Sequence, residues 1–546
     1  METFDFDRKV QDEFDKSFSD IKKINWYDWL EVSSNKEYEE LALRLSELSS
    51  IENIMDRIKI ETTDSRSFSI DLFDFLEKNQ DSNSFVFCHT SGTTNSNIAM
   101  LKWFLMTKDI IKRQWAPGMQ AIFESSGLNS NSSAVIFVPS RLKLDGIQTY
   151  KEQEYISLYS SEFSQRIMLS ITKPRSYLFY EYKNSKNLEI LSKILSMEKI
   201  SVISAPATTI LGWADINRLQ SGIKKSMNSI NSNHNPVLES LLSEINKKGI
   251  EYVSKGIQKR LSEKLAKSTL VFSISSLSNS DWELIRKFMK WEKGKERFTN
   301  LYVASEIGPF AASINKADFE ISRLNQMYIF PLTIPVIEYK GKKELISRTT
   351  SKIGKLYVSR IHGSKALINI DIGDIISIKK NEGLPQIDGK ILRSNFLLRY
   401  PIKLSKEILI SPNYNVYAGD YFNFNNYEIY EPRFLLNCIK QKCELEIDSL
   451  LLLRNNQVKD KQFTLFLYSN DKKNCSNLKN YYRILLNCIK NDNFKEAIIN
   501  NQINIRLINE NPVNFLETRS DVLEKVRSGK NPKGILKKWP LYLIDT

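Results

Sequence analysis

Short apolar runs alternate with stretches of helical spacing from residue 84 onward. The runs are FVFC at 85–88, AVIFVP at 134–139, SYLFYEY at 176–182, LVFSI at 270–274 and NLYVA at 300–304. Runs of this length that are rich in Val, Ile, Phe and Tyr are typical of buried strands. Because strands that alternate with helices form parallel sheets covered on both faces, the pattern predicts α/β subdomains.

The two ends of the chain differ from this pattern. The first 80 residues have helical spacing, carried by Leu41, Leu43, Leu45 and Leu48 and then by Ile51, Ile54 and Ile58. Between 327 and 380 the strand-like runs follow one another closely, which predicts an antiparallel or barrel-like β-rich subdomain. Beyond residue 400, LLLLR, FTLFLYS and a helical pattern near 477–490 predict an α+β segment.

Composition narrows the class of protein. With 546 residues, 41% of them hydrophobic and 26% charged, the chain is expected to be a soluble globular protein of two or more domains. No apolar run approaches the roughly 18 residues of a membrane span. The N-terminus METFDFDRKV is acidic where a secretory signal is basic and then apolar. We therefore expect a cytoplasmic protein.

The net charge of +14 is unevenly distributed along the chain. The first 80 residues hold 20 Asp and Glu against 11 Lys and Arg, so the positive surplus lies in the remainder. It is spread thinly there, with short pairs such as Lys379 and Lys380 and no long basic tract. A nucleic acid and an anionic small molecule both fit such a charge, and the lack of a basic tract counts against the nucleic acid.

Cysteine and histidine usage gives no sign of a disulfide framework or a zinc site. The five cysteines are scattered without a C-x-x-C pair, and the chain has three histidines. The hexapeptide LLNCIK occurs at 435–440 and again at 485–490, but the residues around the two copies do not match. We attribute the recurrence to chance in a chain rich in Asn, Ile and Lys.

The first candidate for chemistry is the stretch FVFCHTSGTTNSN at 85–97, where an apolar run changes abruptly to hydroxyls and one glycine. A loop that holds phosphates needs a glycine for close backbone approach, together with N–H groups and hydroxyls that point inward. The chain supplies these at Thr90, Ser91, Gly92, Thr93 and Thr94. The alternative is an ordinary Ser/Thr-rich turn.

TSGTT resembles the phosphate loop of the adenylate-forming enzymes, the superfamily of acyl-CoA synthetases, luciferases and adenylation domains. A second segment, RFTNLYVASEIGP at 297–309, is similar to the family's N-x-Y-G-x-T-E, with Asn300, Tyr302, Ser305 and Glu306 at the matching positions. The resemblance implies that Tyr302 stacks on adenine, that Ser305 lies at the nucleotide, and that Glu306 binds Mg²⁺. A flat ring and a hard carboxylate oxygen suit those tasks.

Three further segments resemble family motifs in the same order. INIDIGDI is similar to R-Y-x-T-G-D, which implies that Asp374 accepts both ribose hydroxyls. DGKILRSNFLLRY at 388–400 lies where the family has its interdomain hinge, with Arg393 or Lys390 as the basic nucleotide-binding residue. VRSGKNPKG at 526–534 resembles the last motif, which implies that Lys530 is the catalytic lysine, with Lys533 as second choice.

The layout resembles the phenylacetate-CoA ligase branch of this superfamily, because few residues precede the TSGTT loop. The resemblance implies an α/β fold with a large N-terminal domain of α/β subdomains plus a β-rich subdomain, and a small mobile α+β C-terminal domain. We expect an acidic helical arm over 1–83, an ATP- and carboxylate-binding domain over 84–392, and the small domain over 393–546.

The loop departs from the family in its second half. Asn95 stands where the family has glycine, and Asn97 and Ile98 stand where it has proline and lysine. Asn reaches positive φ more readily than most residues, so Asn95 is tolerable. The usual loop cation is missing, and Lys102 lies too far along the chain to replace it securely.

The resemblance implies ATP-dependent activation of a carboxylic acid, with acyl-AMP and pyrophosphate as products, followed by acyl transfer to a nucleophile. We expect ATP and Mg²⁺ as cofactors, an aryl or hydrophobic acid as substrate, and a thiol such as that of CoA as acceptor. A carrier protein, an amine, a hydroxyl or a protein cysteine could use the same adenylate. Two other classes stay open: a catalytically silent nucleotide-binding relative and a basic nucleic-acid binder.

Overall fold

A computed structural model describes most of the chain, and its residues form two compact units. The described residues are 8–30, 50–79, 84–90, 101–142, 144–230, 235–273, 277, 279–314, 326–346, 352–362, 365–378, 386–388, 392–393, 396–398, 402–404, 406, 414–424, 427–430, 432, 435–436, 438–439, 450–454, 463–468, 478–489, 492–508, 510, 513–515 and 539–545. The first unit comprises 1–90, 102–372 and 377–389, and the second comprises 91–101, 373–376 and 390–546.

The strands of the first unit form three sheets. In chain order they are β1 (Ser84–His89), β2 (Trp103–Leu105), β3 (Ser133–Val138), β4 (Gly146–Tyr150), β5 (Gln153–Tyr159), β6 (Ser176–Glu181), β7 (Val202–Ser204), β8 (Thr269–Ser273), β9 (Phe298–Ala304), β10 (Gly308–Ala312), β11 (Gln326–Ile329), β12 (Thr333–Tyr339), β13 (Lys342–Leu345), β14 (Lys352–His362), β15 (Lys365–Ile378) and β16 (Gln386–Asp388).

Helices precede β1 and separate many of the later strands. They are α1 (Arg8–Ser17), α2 (Trp26–Leu30), α3 (Ile51–Ile60), α4 (Leu72–Lys78), α5 (Lys108–Ile110), which continues into a π-helical turn (Ile111–Trp115), α6 (Ala116–Ser125), α7 (Ser160–Thr172), α8 (Leu188–Ser196), α9 (Ala207–Ala214), α10 (Ile216–Ser226), α11 (Pro236–Lys248), α12 (Ile250–Leu265) and α13 (Asn279–Phe288). Short 3₁₀ turns cover Ser65–Phe68, Tyr182–Asn184 and Met227–Ser229.

The largest sheet has the strand order β16-β11-β10-β9-β8-β7-β3-β6. Its section from β6 to β9 is parallel, and β10, β11 and β16 are added antiparallel. Ala134, Ile136 and Val138 of β3 lie in one apolar cluster, while Val135 and Phe137 lie in another. Since successive side chains of a strand point to opposite faces, both faces of this sheet are buried by helices.

The second sheet has the order β2-β1-β5-β4 and carries the first candidate motif at the end of β1. β1 pairs parallel with β5 and antiparallel with β2, where His89 faces Trp103. The backbone N–H of Thr90 donates to the carbonyl of Lys102, at 3.1 Å between N and O. The position at which the candidate loop begins is therefore set by the register of β1 and β2.

The third sheet joins β13, β12, β14, β15 and the short strand β17 (Leu392–Arg393), and it packs on α3. Helix α3 begins after the N-cap Ser50, whose hydroxyl accepts from the N–H of Asn53. Ile54 and Ile58, one helical turn apart, are buried against this sheet. The predicted spacing of Ile51, Ile54 and Ile58 is confirmed as a helix, whereas the leucines at 41–48 lie outside the described residues.

Helix α1 packs within the first unit. Phe14 is buried with its ring centroid 5.3 Å from that of Phe163. The side-chain amide of Gln11 donates to the carbonyl of Arg166 and the hydroxyl of Ser170, at 3.3 and 2.9 Å. Helix α1 therefore buries its apolar face on α7. The predicted boundary of a separate arm at residue 83 stays a prediction.

The second unit is built on one mixed sheet with the order β18-β20-β27-β23-β24-β25. Its strands are β17 (Leu392–Arg393), β18 (Phe396–Leu398), β19 (Ile402–Leu404), β20 (Asn415–Gly419), β21 (Tyr421–Phe424), β22 (Tyr427–Tyr430), β23 (Leu450–Arg454), β24 (Phe463–Tyr468), β25 (Ile503–Ile508), β26 (Val513–Phe515) and β27 (Leu541–Asp545), with helices α14 (Leu478–Cys488) and α15 (Asp492–Ile499). β19 pairs with β26 and β21 with β22.

The two LLNCIK copies meet in the core of the second unit. Cys438 and Cys488 form a disulfide there, with 5.7 Å between the Cα atoms. Leu435, Leu485 and Ile489 are buried in the same apolar cluster. Cysteine spacing gave no sign of this disulfide, because two cysteines 50 residues apart carry no spacing signal and only the packing of their apolar neighbours brings them together.

The predicted fold class is confirmed: the first unit combines mixed α/β sheets with a β-rich sheet, and the second is α+β. The strand-like runs at 85–88, 134–139, 176–182, 270–274 and 300–304 became β1, β3, β6, β8 and β9. Within the described ranges, no helix is both long and apolar enough to cross a membrane.

Candidate active site

The ends of β1 and β9 lie next to each other in the first unit, although they belong to different sheets. The hydroxyl of Ser305 donates to the carbonyl of His89, with 3.3 Å between the oxygens. Thr90, the first residue of the TSGTT loop, follows His89 and is half-buried. Two predicted motifs 216 residues apart therefore meet at one place. Ser91, Gly92, Thr93 and Thr94 lie outside the described residues.

Glu306 follows Ser305 in the turn between β9 and β10. Gly308 closes this turn at φ +93°, and a Cβ atom there would lie 3.1 Å from the indole nitrogen of Trp115, so the position favours glycine. The Glu306 carboxylate is buried and forms an ion pair with the ammonium of Lys102, which is also buried. The same ammonium donates to the hydroxyl of Ser65, at 2.6 Å.

A second cation, Arg360 on β14, lies near this ion pair. The side chain is 4% exposed, and its guanidinium lies over the ring of Phe68, 5.0 Å from the centroid. Burial lowers the pKa of Arg360 to about 9, and the Glu306 carboxylate opposes that shift. Its Nε has no hydrogen-bond partner among the described residues. A buried charged donor without a partner is costly, and such groups often mark a site for a ligand.

His89 and Asp145 form a buried pair behind the start of the loop. The Nε2 atom of His89 lies 2.6 Å from one carboxylate oxygen of Asp145, and the other oxygen accepts from the N–H of Leu142 at 2.8 Å. The Nδ1 atom of His89 lies 2.9 Å from the carbonyl of Thr90. The pair therefore ties the backbone at Thr90 to the segment before β4.

Cys88 lies beside this pair on β1 and is buried. Burial, and after it the Glu306 carboxylate, raise the pKa of the Cys88 thiol well above its usual range. The thiol is therefore protonated at neutral pH. A protonated, inaccessible thiol is a poor nucleophile, which excludes Cys88 as the acceptor of an acyl group.

Tyr302 and Asp374 are both buried. The ring of Tyr302 on β9 lies against Phe310, with 4.1 Å between centroids and 46° between planes. Asp374 on β15 is 3% exposed, and its backbone pairs with that of Arg393 on β17. Gly373 precedes it at φ +74°, in the left-handed region that favours glycine. The side chain of Arg393, and Lys530 altogether, lie outside the described residues.

The Glu306 carboxylate, expected from the sequence to bind Mg²⁺, contacts a cation of the protein. In the parts of the chain that the structure describes, no three His, Cys, Asp or Glu residues gather into a group that could hold a metal. Mg²⁺ prefers several oxygen ligands, whereas the Glu306 carboxylate already binds the ammonium of Lys102 and lies near a second cation. The role of Glu306 as a Mg²⁺ ligand stays a prediction.

Sequence reasoning missed four of the residues that surround these motifs: Ser65, His89, Asp145 and Arg360. His89 directly precedes TSGTT, so its place at a strand end was a usable signal. Ser65 and Arg360 gave no signal in the sequence, because their contacts with the Glu306 cluster depend on tertiary packing. Lys102 was considered and set aside on its distance from the loop, and the structure places it at Glu306.

Comparison with known proteins gives only distant similarity. No family model and no curated protein matches the chain. The GH3.15 acyl acid amido synthetase is similar at 12% identity over 92% of this chain and 87% of its own, with a TM-score of 0.45. The fatty acyl-adenylate ligases from E. coli and L. pneumophila are similar at 9% identity over 76% of this chain and 64% of their own, with a TM-score of 0.43. A malonyl-CoA ligase complex with methylmalonyl-CoA and AMP bound is similar at 11% identity over 78% of this chain and 71% of its own, with a TM-score of 0.34. Similarity at this level carries no information on activity, which the residues of this chain must supply.

Proposed function

We propose that the chain is an AMP-forming carboxylate ligase, which activates a carboxylic acid with ATP and passes the acyl group to a nucleophile. The observation that carries the proposal is the contact between Ser305 and the backbone of His89, which joins the second motif to the start of TSGTT. Motif residues far apart in sequence meet only if the fold brings them together. That contact supports the proposal beyond the order of the motifs.

The proposed first step is an in-line displacement at phosphorus. A carboxylate oxygen of the acid forms a bond to the α-phosphorus of ATP while the bond to the bridging oxygen breaks, and pyrophosphate leaves with both electrons. The product is acyl-AMP, and a nucleophile then attacks its acyl carbon and releases AMP. Positioning and neutralisation of charge on the phosphoryl oxygens supply most of the catalysis in such reactions.

We assign the roles of the site residues as follows. Thr90 and the loop residues Ser91, Gly92, Thr93 and Thr94 hold phosphates with hydroxyl and N–H groups. Tyr302 and Ser305 contact the adenine side of the nucleotide, Asp374 accepts the ribose hydroxyls and Arg393 binds beside it. Lys530 approaches the reacting phosphate and stabilises the negative charge that develops there. Mg²⁺ enters with ATP as part of the substrate.

The finer parts of the proposal concern the substrate, the acceptor and the domains. We propose an aryl or hydrophobic acid and a thiol acceptor such as CoA, as in the phenylacetate-CoA ligase branch. A carrier protein, an amine or a hydroxyl would complete the same reaction. The domain over 393–546 would rotate about a hinge near 390–396 between the two steps, which gates access to the adenylate.

A catalytically silent nucleotide-binding protein is the second candidate. The observation in its favour is Ile98 in place of the lysine that the family carries in the loop. Such a protein would bind ATP and support no turnover with any acid.

Exchange of labelled pyrophosphate into ATP, measured across a broad panel of carboxylic acids, separates these two candidates. An active ligase catalyses exchange only when a suitable acid is present, because the reverse of adenylation needs acyl-AMP. If ATP binds and no acid in the panel supports exchange, the chain is a catalytically silent nucleotide-binding protein and not a ligase. Release of pyrophosphate with CoA, amines and hydroxyl compounds then identifies the acceptor.

Lys530→Ala tests the catalytic lysine. We expect a loss of exchange of about 100-fold or more, since the lysine acts on charge that develops only in the transition state. Lys533→Ala, three residues further along the same segment and equal in charge change, is the matched comparison. Near-normal exchange by Lys530→Ala, together with a large loss in Lys533→Ala, would move the role to Lys533.

A further inference from the structure

The 3₁₀ turn Ser65–Phe68 holds two buried cations of the candidate site at once. Its first residue accepts a hydrogen bond from the ammonium of Lys102, and its last residue places an aromatic ring under the guanidinium of Arg360. Asp64 caps the turn through the N–H of Arg66, at 3.0 Å. This short turn therefore positions the side chains of both cations.

Both ends of this turn are fixed by the sheets beside it. On one side, the N–H of Thr63 donates to the carbonyl of Asn369 at 3.0 Å, and the N–H of Asp371 donates to the carbonyl of Thr63 at 3.2 Å. On the other side, the N–H of Ile70 donates to the carbonyl of Trp103 at 2.9 Å. The turn therefore spans from β15 to β2, and its position does not depend on a ligand.

The side chains around the turn carry a surplus of positive charge. Lys102 and Arg360 are both buried, and among the described residues the Glu306 carboxylate interacts with each of them. One carboxylate offsets one of the two cations. The Nε of Arg360 also has no acceptor within the described ranges. A buried surplus of charge with an unused donor is stable only if it has a function or a ligand that supplies the missing anion.

We propose that Lys102 and Arg360 form a metal-independent polyphosphate site beside Glu306, which binds the pyrophosphate portion of ATP. Arg360 supplies a planar guanidinium, the group best suited to phosphate oxygens, and Lys102 supplies a point charge whose direction is set by Ser65 and Glu306. The two cations take over the charge that the loop lacks at Ile98. This inference rests on the proposed ligase function for the identity of the phosphate ligand.

Titration calorimetry with inorganic pyrophosphate, in buffer that contains EDTA, tests the site without turnover. The wild-type chain binds pyrophosphate, and Arg360→Gln binds it at least about tenfold more weakly, since a charge-assisted hydrogen bond is lost. Lys340→Gln, which removes an exposed cation in the turn between β12 and β13, is the control with the same change in charge and binds as the wild type does. Equal affinity in wild type and Arg360→Gln overturns the proposal, and so does a wild type that binds no pyrophosphate.

Thermal unfolding of Arg360→Met separates a ligand site from a structural role. Because the guanidinium lacks an acceptor at Nε, its replacement by an apolar chain leaves the melting temperature of the ligand-free protein unchanged or raises it. The same variant loses the rise in melting temperature that pyrophosphate gives the wild type. A strongly lowered melting temperature without ligand shows that Arg360 is structural, and contradicts the proposal.

The outcomes distinguish this site from the ligase function. If the wild-type chain catalyses acid-dependent exchange while Arg360→Gln binds pyrophosphate normally, the ligase function is supported and the proposed polyphosphate site is wrong. If no acid supports exchange while Arg360→Gln weakens pyrophosphate binding, the site stands and the chain is a polyphosphate binder.

Discussion

The first unit contains two buried clusters in which one carboxylate faces two cations, and the two differ in how completely the cations are paired. In one cluster, Glu162 accepts from Arg141 at 2.7 and 3.0 Å and from Arg166 at 3.0 and 3.2 Å, while a further Arg166 nitrogen donates to Gln11 at 3.2 Å. In the other, Glu306 pairs with Lys102, and the Nε of Arg360 finds no acceptor among the described residues.

Both arginines also lie over an aromatic ring, so the difference does not come from the surroundings in general. Arg166 lies 4.3 Å from the ring centroid of Phe179, and Arg360 lies 5.0 Å from that of Phe68. What separates them is satisfaction of the donors. A buried arginine with a partner at each side-chain nitrogen, as in Arg166, is part of the framework, whereas a buried nitrogen without an acceptor, as in Arg360, is available for a ligand. The comparison therefore assigns a structural role to the Glu162 cluster and a ligand-binding role to the Glu306 cluster.

Arg166→Met gives the largest expected effect. The change leaves Glu162 with one partner and Gln11 without its donor, so we expect the free energy of unfolding to fall by about 3–5 kcal/mol. Arg360→Met, measured in the same urea titration, is expected to change it by less than about 1 kcal/mol. Equal losses in the two variants would remove the distinction between the clusters.

Lys102→Met removes the cation from the pair with Glu306. The carboxylate is then buried beside a single, incompletely bonded cation, and we expect a loss of about 2–3 kcal/mol in the free energy of unfolding. The double variant Lys102→Met with Glu306→Gln should recover most of that loss, because the buried charge is removed too. A simple sum of the two single effects would show that the pair is not coupled.

Asp145→Asn tests the buried pair behind the loop. The amide keeps one oxygen for the N–H of Leu142 but loses the charge-assisted bond to His89, so we expect a loss of about 1.5–3 kcal/mol. The same urea titration measures it, with Asp281→Asn on the more exposed helix α13 as control. An unchanged midpoint would mean that His89 does not depend on Asp145.

Gly308→Ala gives the smallest expected effect, about 1–2 kcal/mol. The added Cβ meets Trp115 and Gln114 at 3.1 Å, and φ of +93° is strained for alanine. Since Gly308 closes the turn that carries Glu306, weaker pyrophosphate binding should accompany the loss of stability. Gly127→Ala, at φ +90° with no atom within 4 Å of its Cβ, is the control for strain without the contact.

The elements that the sequence predicted are those with long, regular patterns. Strands such as β3 could be predicted because both of their faces are buried, so the run AVIFV is apolar throughout. β7, with three residues, is too short for a pattern, and the edge strand β4 reads GIQTY, which is half polar. The contacts of Lys102 with Glu306 and of Ser65 with Lys102 join segments that only the fold brings together. Single-sequence reasoning could name the motifs but not these partners.

Acid-dependent exchange between labelled pyrophosphate and ATP tests the central claim most directly. The account predicts that at least one aryl or hydrophobic carboxylic acid supports exchange by the wild-type chain, and that Arg360→Gln raises the pyrophosphate concentration needed for half-maximal exchange. Binding of ATP without exchange for any acid in a broad panel would contradict it.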